Sequence, residues 1–329
     1  MKIKLLVFLL FACFSFGGCQ KNSDELLAYN NENVLSNSVI NNEITETDFF
    51  AKNLAIITEE DNQGGDPDIT SEASLLVNIT NNEIIYGDNV YEKLYPASLT
   101  KLMTALIVLR YGELTDTVTI SYNASHITES GAKLCGFNEG DIVSMDVLLN
   151  SLLIYSGNDA GIAIAEHIAG SEENFSKMMN EEAIKIGAVD TNFTNSHGLH
   201  NDNHYSTAYD LYLIFNQLVQ YDTFLSIIDN PTYTAVYKDK DNKDITKTFA
   251  STNLYLDERS NSLKEGLETL NIIGGKTGTT SKAGNCLILL TKDNNQNSYI
   301  SLILKGDNRT ELYSQMSHML SMLTVNQID

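Results

Sequence analysis

The sequence predicts a mixed α and β fold in which one antiparallel sheet is sandwiched by helices. Three patterns predict it. A strand-like hairpin, Leu75–Thr80 and Ile84–Gly87, opens the patterned part of the chain. Helical spacings fill the middle. Three strand-like runs then close the chain ahead of one last helix. That order suggests a sheet to which both ends of the chain contribute strands.

Each element has its own signal. Asn81-Asn82 supplies the turn of the first hairpin. SLTKLMTALIVLRYG reads as an apolar helix stopped by Gly112. Further helices are expected at Met145–Tyr155, Asp159–Ala169, Phe175–Ile186 with Gly187 as its stop, and Leu211–Gln220. The closing strands are Asn271–Thr279, Asn285–Thr291 and Tyr299–Lys305, separated by tight turns at Ser281–Gly284 and Asp293–Asn297. The final helix, Asn308–Leu323, carries Leu312, Met316, Leu320 and Leu323 as a core-facing stripe without a basic rim.

Composition excludes more than it identifies. The chain has 329 residues, 43% of them hydrophobic, enough for a sizeable core. Lys and Arg number 21 against 43 Asp and Glu, a net charge of −22. Nucleic-acid binding, which needs a basic face to displace counterions, is excluded as a general function. The absence of Trp removes the usual sugar-stacking surface. Four Cys, two of them within the first nineteen residues, cannot build a disulfide framework, and Cys135 and Cys286 read as small buried hydrophobes.

The first residues, MKIKLLVFLLFACFSFGG, place two lysines before a short apolar run, the pattern of a secretory signal over 1–18. Phe16-Gly17-Gly18-Cys19 resembles a lipoprotein cleavage site, so Cys19 is expected to be acylated and to tether the protein to the outer face of a bacterial cytoplasmic membrane. Residues 19–68 hold eleven acids and two lysines with poor periodicity. They read as an acidic flexible tether, with a short helix near Ile40–Ile57, ahead of a folded domain over 69–329.

Three short motifs carry chemistry. Ser98-Leu99-Thr100-Lys101 opens a helix, and the spacing of three puts hydroxyl and amine on one face. A hydroxyl becomes a nucleophile only when a base takes its proton, and a lysine serves only if burial or a neighbouring cation lowers its pKa. Lys101 sits in a run otherwise heading for the core, where an idle lysine would be costly. Ser156-Gly157-Asn158 joins two helices and, taken alone, reads first as a capped helix-to-helix turn. Lys276-Thr277-Gly278-Thr279 lies on a closing strand, where Gly278 makes sense if another backbone approaches closely, such as a bound peptide.

Together and in this order the motifs resemble the serine–lysine set of the penicillin-binding proteins and β-lactamases. The similarity extends over residues 70–325, through PASLTKLMTALIVL, YSGNDAGIAIAEHIAGSEENFSKMMN, NSHGLHNDNHYSTAYDL and GGKTGTTSKAGNCLILL. It is to the low-molecular-mass penicillin-binding proteins, the serine-type D-alanyl-D-alanine carboxypeptidases of the DacA/DacF kind. The resemblance implies the DD-peptidase/β-lactamase-like fold, an antiparallel sheet flanked by helices with a helical subdomain. It implies Ser98 as acylated nucleophile, Lys101 as its base and Ser156 as proton relay, with Asn158 holding the substrate amide. Lys276 and Thr277 would bind the terminal carboxylate, in the Lys276–Thr279 segment that includes Gly278. The N–H groups of Ser98 and Thr279 would form an oxyanion hole. Implied partners are a peptidoglycan stem peptide ending in D-Ala–D-Ala and β-lactams; no cofactor, metal or nucleic acid is implied.

Two departures stand out. Gly275 occupies a position where relatives have a large apolar residue. The sequence lacks the C-terminal β-domain and amphipathic helix of many relatives, an anchor that the N-terminal lipid is expected to replace. Arg309 lies where relatives often carry a basic residue after the last strand. Three rival readings share parts of this sequence pattern. A class A β-lactamase would need a deacylating Glu in the segment that here reads DTNFTNSHGLH. A zinc site at His197, His200 and His204 would need a ligand helix, whereas Gly198 and NDN predict a loop and no H-E-x-x-H is present. A wall-binding penicillin sensor would share every motif and differ only in failing to turn over.

Overall fold

Alternate residues of the central strands divide between two apolar clusters. The computed structural model describes residues 54–325. In β1 (Ala73–Asn78), Ala73, Leu75 and Val77 face one cluster and Leu76 the other. In β8 (Gly284–Asp293), Cys286, Ile288 and Leu290 oppose Leu287 and Leu289, and β9 (Ser298–Gly306) repeats the split. A sheet buried on both faces accounts for the continuous apolar runs in these strands.

With β2 (Glu83–Asp88) and β7 (Leu270–Thr280) the strands form a five-stranded sheet in the order β2-β1-β9-β8-β7. Every pairing is antiparallel. Strands from both ends of the chain therefore share it, as expected, and β7 is an edge. The last helix, α8 (Arg309–Val325), covers one face with Leu312, Met316, Leu320 and Leu323. The other face packs on a helical layer. That layer contains α1 (Lys101–Tyr111), α3 (Met145–Asn150), α4 (Asn158–Ala169), α5 (Glu172–Lys185) and α6 (Ala208–Leu218). A four-residue α2 (Tyr122–Ser125) and α7 (Asp222–Ile228) complete the α-helices among the described residues.

The sequence reading missed a second sheet of order β3-β4-β5-β6. Its strands are Thr117–Thr119, Ile142–Ser144, Thr232–Lys238 and Asp244–Ala250. Two are only three residues long, and the other two alternate buried with exposed positions without a strong apolar run. Neither gives a periodic signal of useful length. The expected helix over Met145–Tyr155 also divides, with α3 giving way to a wider π turn at Ser151–Tyr155.

The folded part begins earlier than residue 69. Ala55 and Ile57 are buried, the Ala55 N–H donates to Tyr212 Oη at 3.1 Å, and His318 Nε2 meets the Asp66 carboxylate at 2.9 Å. Residues 54–68 are thus packed on the domain, not tether, and 54–57 are not helical. The signal segment, Cys19 and the rest of the acidic stretch lie outside the described residues. Among the described residues no helix is long and apolar enough to cross a membrane.

Candidate active site

The first motif forms a single helical turn, Ala97–Thr100, that leads into α1. Ala97 takes a positive φ of 47°, costly for a side chain with a Cβ. Three contacts hold it there. Thr100 Oγ1 donates to the Ala97 carbonyl at 2.7 Å. On one side a Cβ on Gly198 would stand 1.9 Å from that same carbonyl oxygen. On the other side a Cβ on Gly278 would stand 2.9 Å from the Pro96 oxygen and 3.1 Å from the Ser98 nitrogen. The backbone that Gly278 makes room for is the chain's own turn at Pro96–Ser98.

Lys101 is fully buried, and its amine sits 2.9 Å from Ser98 Oγ. It also meets Asn158 Oδ1 at 2.7 Å and the His197 carbonyl at 2.5 Å. A neutral amine has two N–H donors and one lone pair. The two carbonyl acceptors take the donors, which leaves the lone pair for the serine hydroxyl. Desolvation, reinforced by the Lys133 charge, lowers Lys101 to about 7.

Ser156 ends the π turn with φ at 70°, a left-handed conformation that turns its hydroxyl toward β7. Lys276, also fully buried, places its amine 2.9 Å from Ser156 Oγ and 2.9 Å from the Thr277 carbonyl. Burial and the charges of Lys101 and Lys133 push its pKa well below the usual lysine range. The sequence reading set Lys276 on a substrate carboxylate; the structure turns it inward, onto Ser156. Thr277 Oγ1 bonds Thr252 Oγ1 at 2.6 Å, and Arg309 donates to the Thr252 carbonyl at 3.1 Å.

Ser98, Ser156, Asn158, Thr277, Thr279 and Arg309 line one cleft of about 740 Å³ beside the free edge of β7. The eight motif residues named from the sequence thus converge: five line the cleft, Lys101 and Lys276 lie buried against Ser98 and Ser156, and Gly278 packs on the turn that carries Ser98. The site combines a hydroxyl, a base of suitable pKa and a second hydroxyl–amine pair. Such a set can make and break an acyl ester.

Four supporting groups escaped the sequence reading. The Glu172 carboxylate accepts from the Ser196 hydroxyl and, at 3.2 Å, from its N–H, fixing the peptide just before the His197 carbonyl used by Lys101. Asp159 accepts from the N–H groups of Cys135 and Gly136 at 3.0 and 2.8 Å, clamping that loop to the second motif. Lys133 and Thr252 line the cleft. Glu172 and Asp159 lie inside the resembling segments, but nothing in their spacing marks them.

The three histidines bond separately. His197 Nδ1 accepts from the Leu199 N–H at 3.1 Å, His200 Nε2 meets Asp202 at 3.1 Å, and His204 Nε2 meets Thr100 Oγ1 at 2.7 Å. Burial and Lys101 hold His197 neutral, so its 3.7 Å approach to Glu172 is not an ion pair. Cys135 and Cys286 are both buried and free. The surroundings of Cys135 are less apolar than expected: burial, with the Asp159 charge, pushes its thiol well up.

Residues 59–308 match the family model described as D-alanyl-D-alanine carboxypeptidase, peptidase S11. The chain is 30% identical over 255 residues to D-alanyl-D-alanine carboxypeptidase DacF of Bacillus subtilis, covering 76% of this chain and 61% of that one. It is 32% identical over 268 residues to D-alanyl-D-alanine carboxypeptidase DacA of Haemophilus influenzae, covering 78% and 63%. The match thus spans about three fifths of these relatives' own length. The Streptomyces K15 DD-transpeptidase superposes with a TM-score of 0.70 at 25% identity, covering 78% of this chain and 98% of that one. With the family model spanning most of the chain and the three motifs gathered in one cleft, the protein belongs to the D-alanyl-D-alanine carboxypeptidase (S11) family of serine peptidases.

Proposed function

We propose that the protein is a serine D-Ala–D-Ala carboxypeptidase acting on peptidoglycan stem peptides and acylated by β-lactams. The observation that carries this reading is the bond between Lys101 Nζ and Ser98 Oγ, with Lys101 near 7. In the proposed reaction Lys101 removes the Ser98 proton as Oγ attacks the carbonyl of the penultimate D-alanine. The N–H groups of Ser98 and Thr279 receive the oxyanion. As the peptide bond breaks, Ser156 passes its proton to the departing nitrogen and recovers one from Lys276. Water then attacks the ester and gives its proton through Ser156 back to Lys276. Lys101 returns its proton to the departing Ser98 Oγ, which frees the shortened peptide and restores the site.

Thr277, Thr279 and Arg309 hold the terminal carboxylate in this reading. Asn158 fixes both Lys101 and the substrate amide. The inward turn of Lys276 supports its assignment to proton transfer. The N-terminal pattern supports an exported protein, lipid-anchored at Cys19 on the outer face of the cytoplasmic membrane. Two or more acyl chains, at about 0.8 kcal/mol per buried CH₂, suffice for stable anchoring.

D-alanine release from an acyl-D-Ala–D-Ala peptide tests the reaction, with intact-mass detection of a β-lactam adduct in parallel. Wild type should release D-alanine and carry the adduct on Ser98; Ser98→Ala should do neither. A stable adduct without any D-alanine release would replace the carboxypeptidase by a penicillin sensor.

A further inference from the structure

Lys133 is a half-buried cation lining the cleft, and the mechanism above gives it no contact with substrate, only a charge that helps lower Lys101 and Lys276. Its backbone is fixed: the Asn158 N–H donates to its carbonyl at 2.7 Å, and two residues on the loop is clamped by Asp159. Its amine stands 4.1 Å from the centre of the Tyr155 ring, which in turn packs on Phe249 at 4.8 Å. Tyr155 immediately precedes Ser156, so the cation is built onto the second motif.

Among the described residues no carboxylate pairs with Lys133. Lys240, Lys243, Lys264 and Lys282 also lack a carboxylate partner among the described residues but are exposed to solvent, whereas Lys133 is half-buried in the cleft. Desolvation and the Arg309 charge together lower the Lys133 pKa. A partly desolvated cation beside another, in a chain this acidic, is a site short of one anion. The aromatic face offsets part of that cost and leaves the outer side of the ammonium free.

We propose that Lys133, seated on Tyr155, is a binding subsite for a carboxylate carried by the side chain of the substrate residue immediately before D-Ala–D-Ala. The inference rests on the carboxypeptidase reading. A peptide laid along the edge of β7 with its C-terminus at Thr277 and Arg309 runs past Ser98. Its alternate side chains then project from the strand into the cleft that Lys133 lines. The terminal carboxylate and the side-chain carboxylate would thus be read by separate cations, Arg309 and Lys133.

The test compares kcat/KM for D-alanine release from acetyl-Xaa-D-Ala-D-Ala peptides. Xaa is L-Glu or L-Gln, and then L-2-aminopimelate or its ω-amide, so that two side-chain reaches are sampled. Wild type should prefer the acid in at least one pair by roughly fivefold to tenfold, the size of one partly desolvated charge contact. The ratio should fall to about one in Lys133→Met, invert in Lys133→Glu and survive in Lys133→Arg. In unmodified protein, salt on the order of 0.5 M should erase it, a readout that needs no variant to fold. No preference in either wild-type pair, or an unchanged ratio in Lys133→Met, overturns the proposal. Absence of D-alanine release from every peptide would instead sink the carboxypeptidase reading. Acylation rates of carbenicillin and benzylpenicillin, which differ by one carboxylate, would then decide for Lys133: discrimination lost in Lys133→Met supports the subsite, and equal rates in wild type refute it.

Discussion

Lys276 Nζ lies 2.9 Å from Ser156 Oγ, and both groups are buried. With Lys101 on Ser98 at 2.9 Å, the cleft holds two serine–lysine pairs. Asn158 belongs to the first pair through Lys101 and to the second through its place in the same motif. If the second pair works as one proton conduit, Ser156→Ala and Lys276→Ala should each lower kcat/KM for D-alanine release by about 10²–10⁴, and the double variant little further. Losses that multiply in the double variant would assign the residues separate tasks.

The pH dependence of acylation follows from Lys101. Only the neutral amine can accept the Ser98 proton, and with a pKa of about 7 that form gains as pH rises through neutrality. The second-order rate constant for benzylpenicillin acylation should therefore climb with pH and reach half its plateau near 7. Glu172 stabilises the ammonium form. Glu172→Gln should then move the midpoint to lower pH, because removing a nearby negative charge makes Lys101 lose its proton more easily. A midpoint that stays put or rises would leave Glu172 with a purely structural task.

The large sheet and the Ser98–Lys101 contact were legible in the sequence; the second sheet and the supporting groups were not. Strands β1, β8 and β9 announce themselves because both faces are covered, so they read as unbroken apolar runs. β3 and β4 are three residues long, too short for any period, and β5 and β6 pair with each other across alternately exposed positions. The motif residues were legible because their types are unusual where they stand, a lysine in an apolar helix and a glycine in a strand. Glu172 and Asp159 stand in or at the first turn of a helix, where acids are ordinary, and Lys133 stands in a loop without periodicity. Their roles arise from contacts with residues 24, 24 and 25 positions away, and no local pattern encodes those.

The close approach of β7 to the nucleophile turn gives a sharp test at Gly278. A methyl group there would meet backbone atoms of Pro96 and Ser98 and the Ala97 Cβ, none of them the end of a flexible side chain. Strand and turn would have to part by a few tenths of an ångström. Gly278→Ala should cost about 1–3 kcal/mol in chemical denaturation, the scale of overpacking. It should slow β-lactam acylation by roughly 10²-fold, because small displacements of reacting groups are expensive. Wild-type acylation in the alanine variant would show that the turn is not positioned by this contact.

The same turn is braced from the other side by His204, and this predicts how the fold responds to acid. The Thr194 N–H donates to His204 Nδ1 at 3.0 Å, so the neutral ring carries its proton on Nε2. Nε2–H then donates to Thr100 Oγ1 at 2.7 Å, and that hydroxyl donates to the strained Ala97 carbonyl. Protonating Nδ1 would break the first bond and bury a charge. Burial, with the Lys101 charge, accordingly lowers His204 to about 3, and burial lowers His197 well below its ordinary value as well. Both histidines bind fewer protons folded than unfolded between those values and 6.5. Their contribution is thus complete above about pH 6.5 and is lost as the pH falls toward 3. Denaturant midpoints should drop steadily from pH 7 to pH 4.5, and His204→Gln, which cannot titrate, should flatten the slope while lowering stability at pH 7. A variant slope as steep as that of wild type would show that His204 does not carry this linkage.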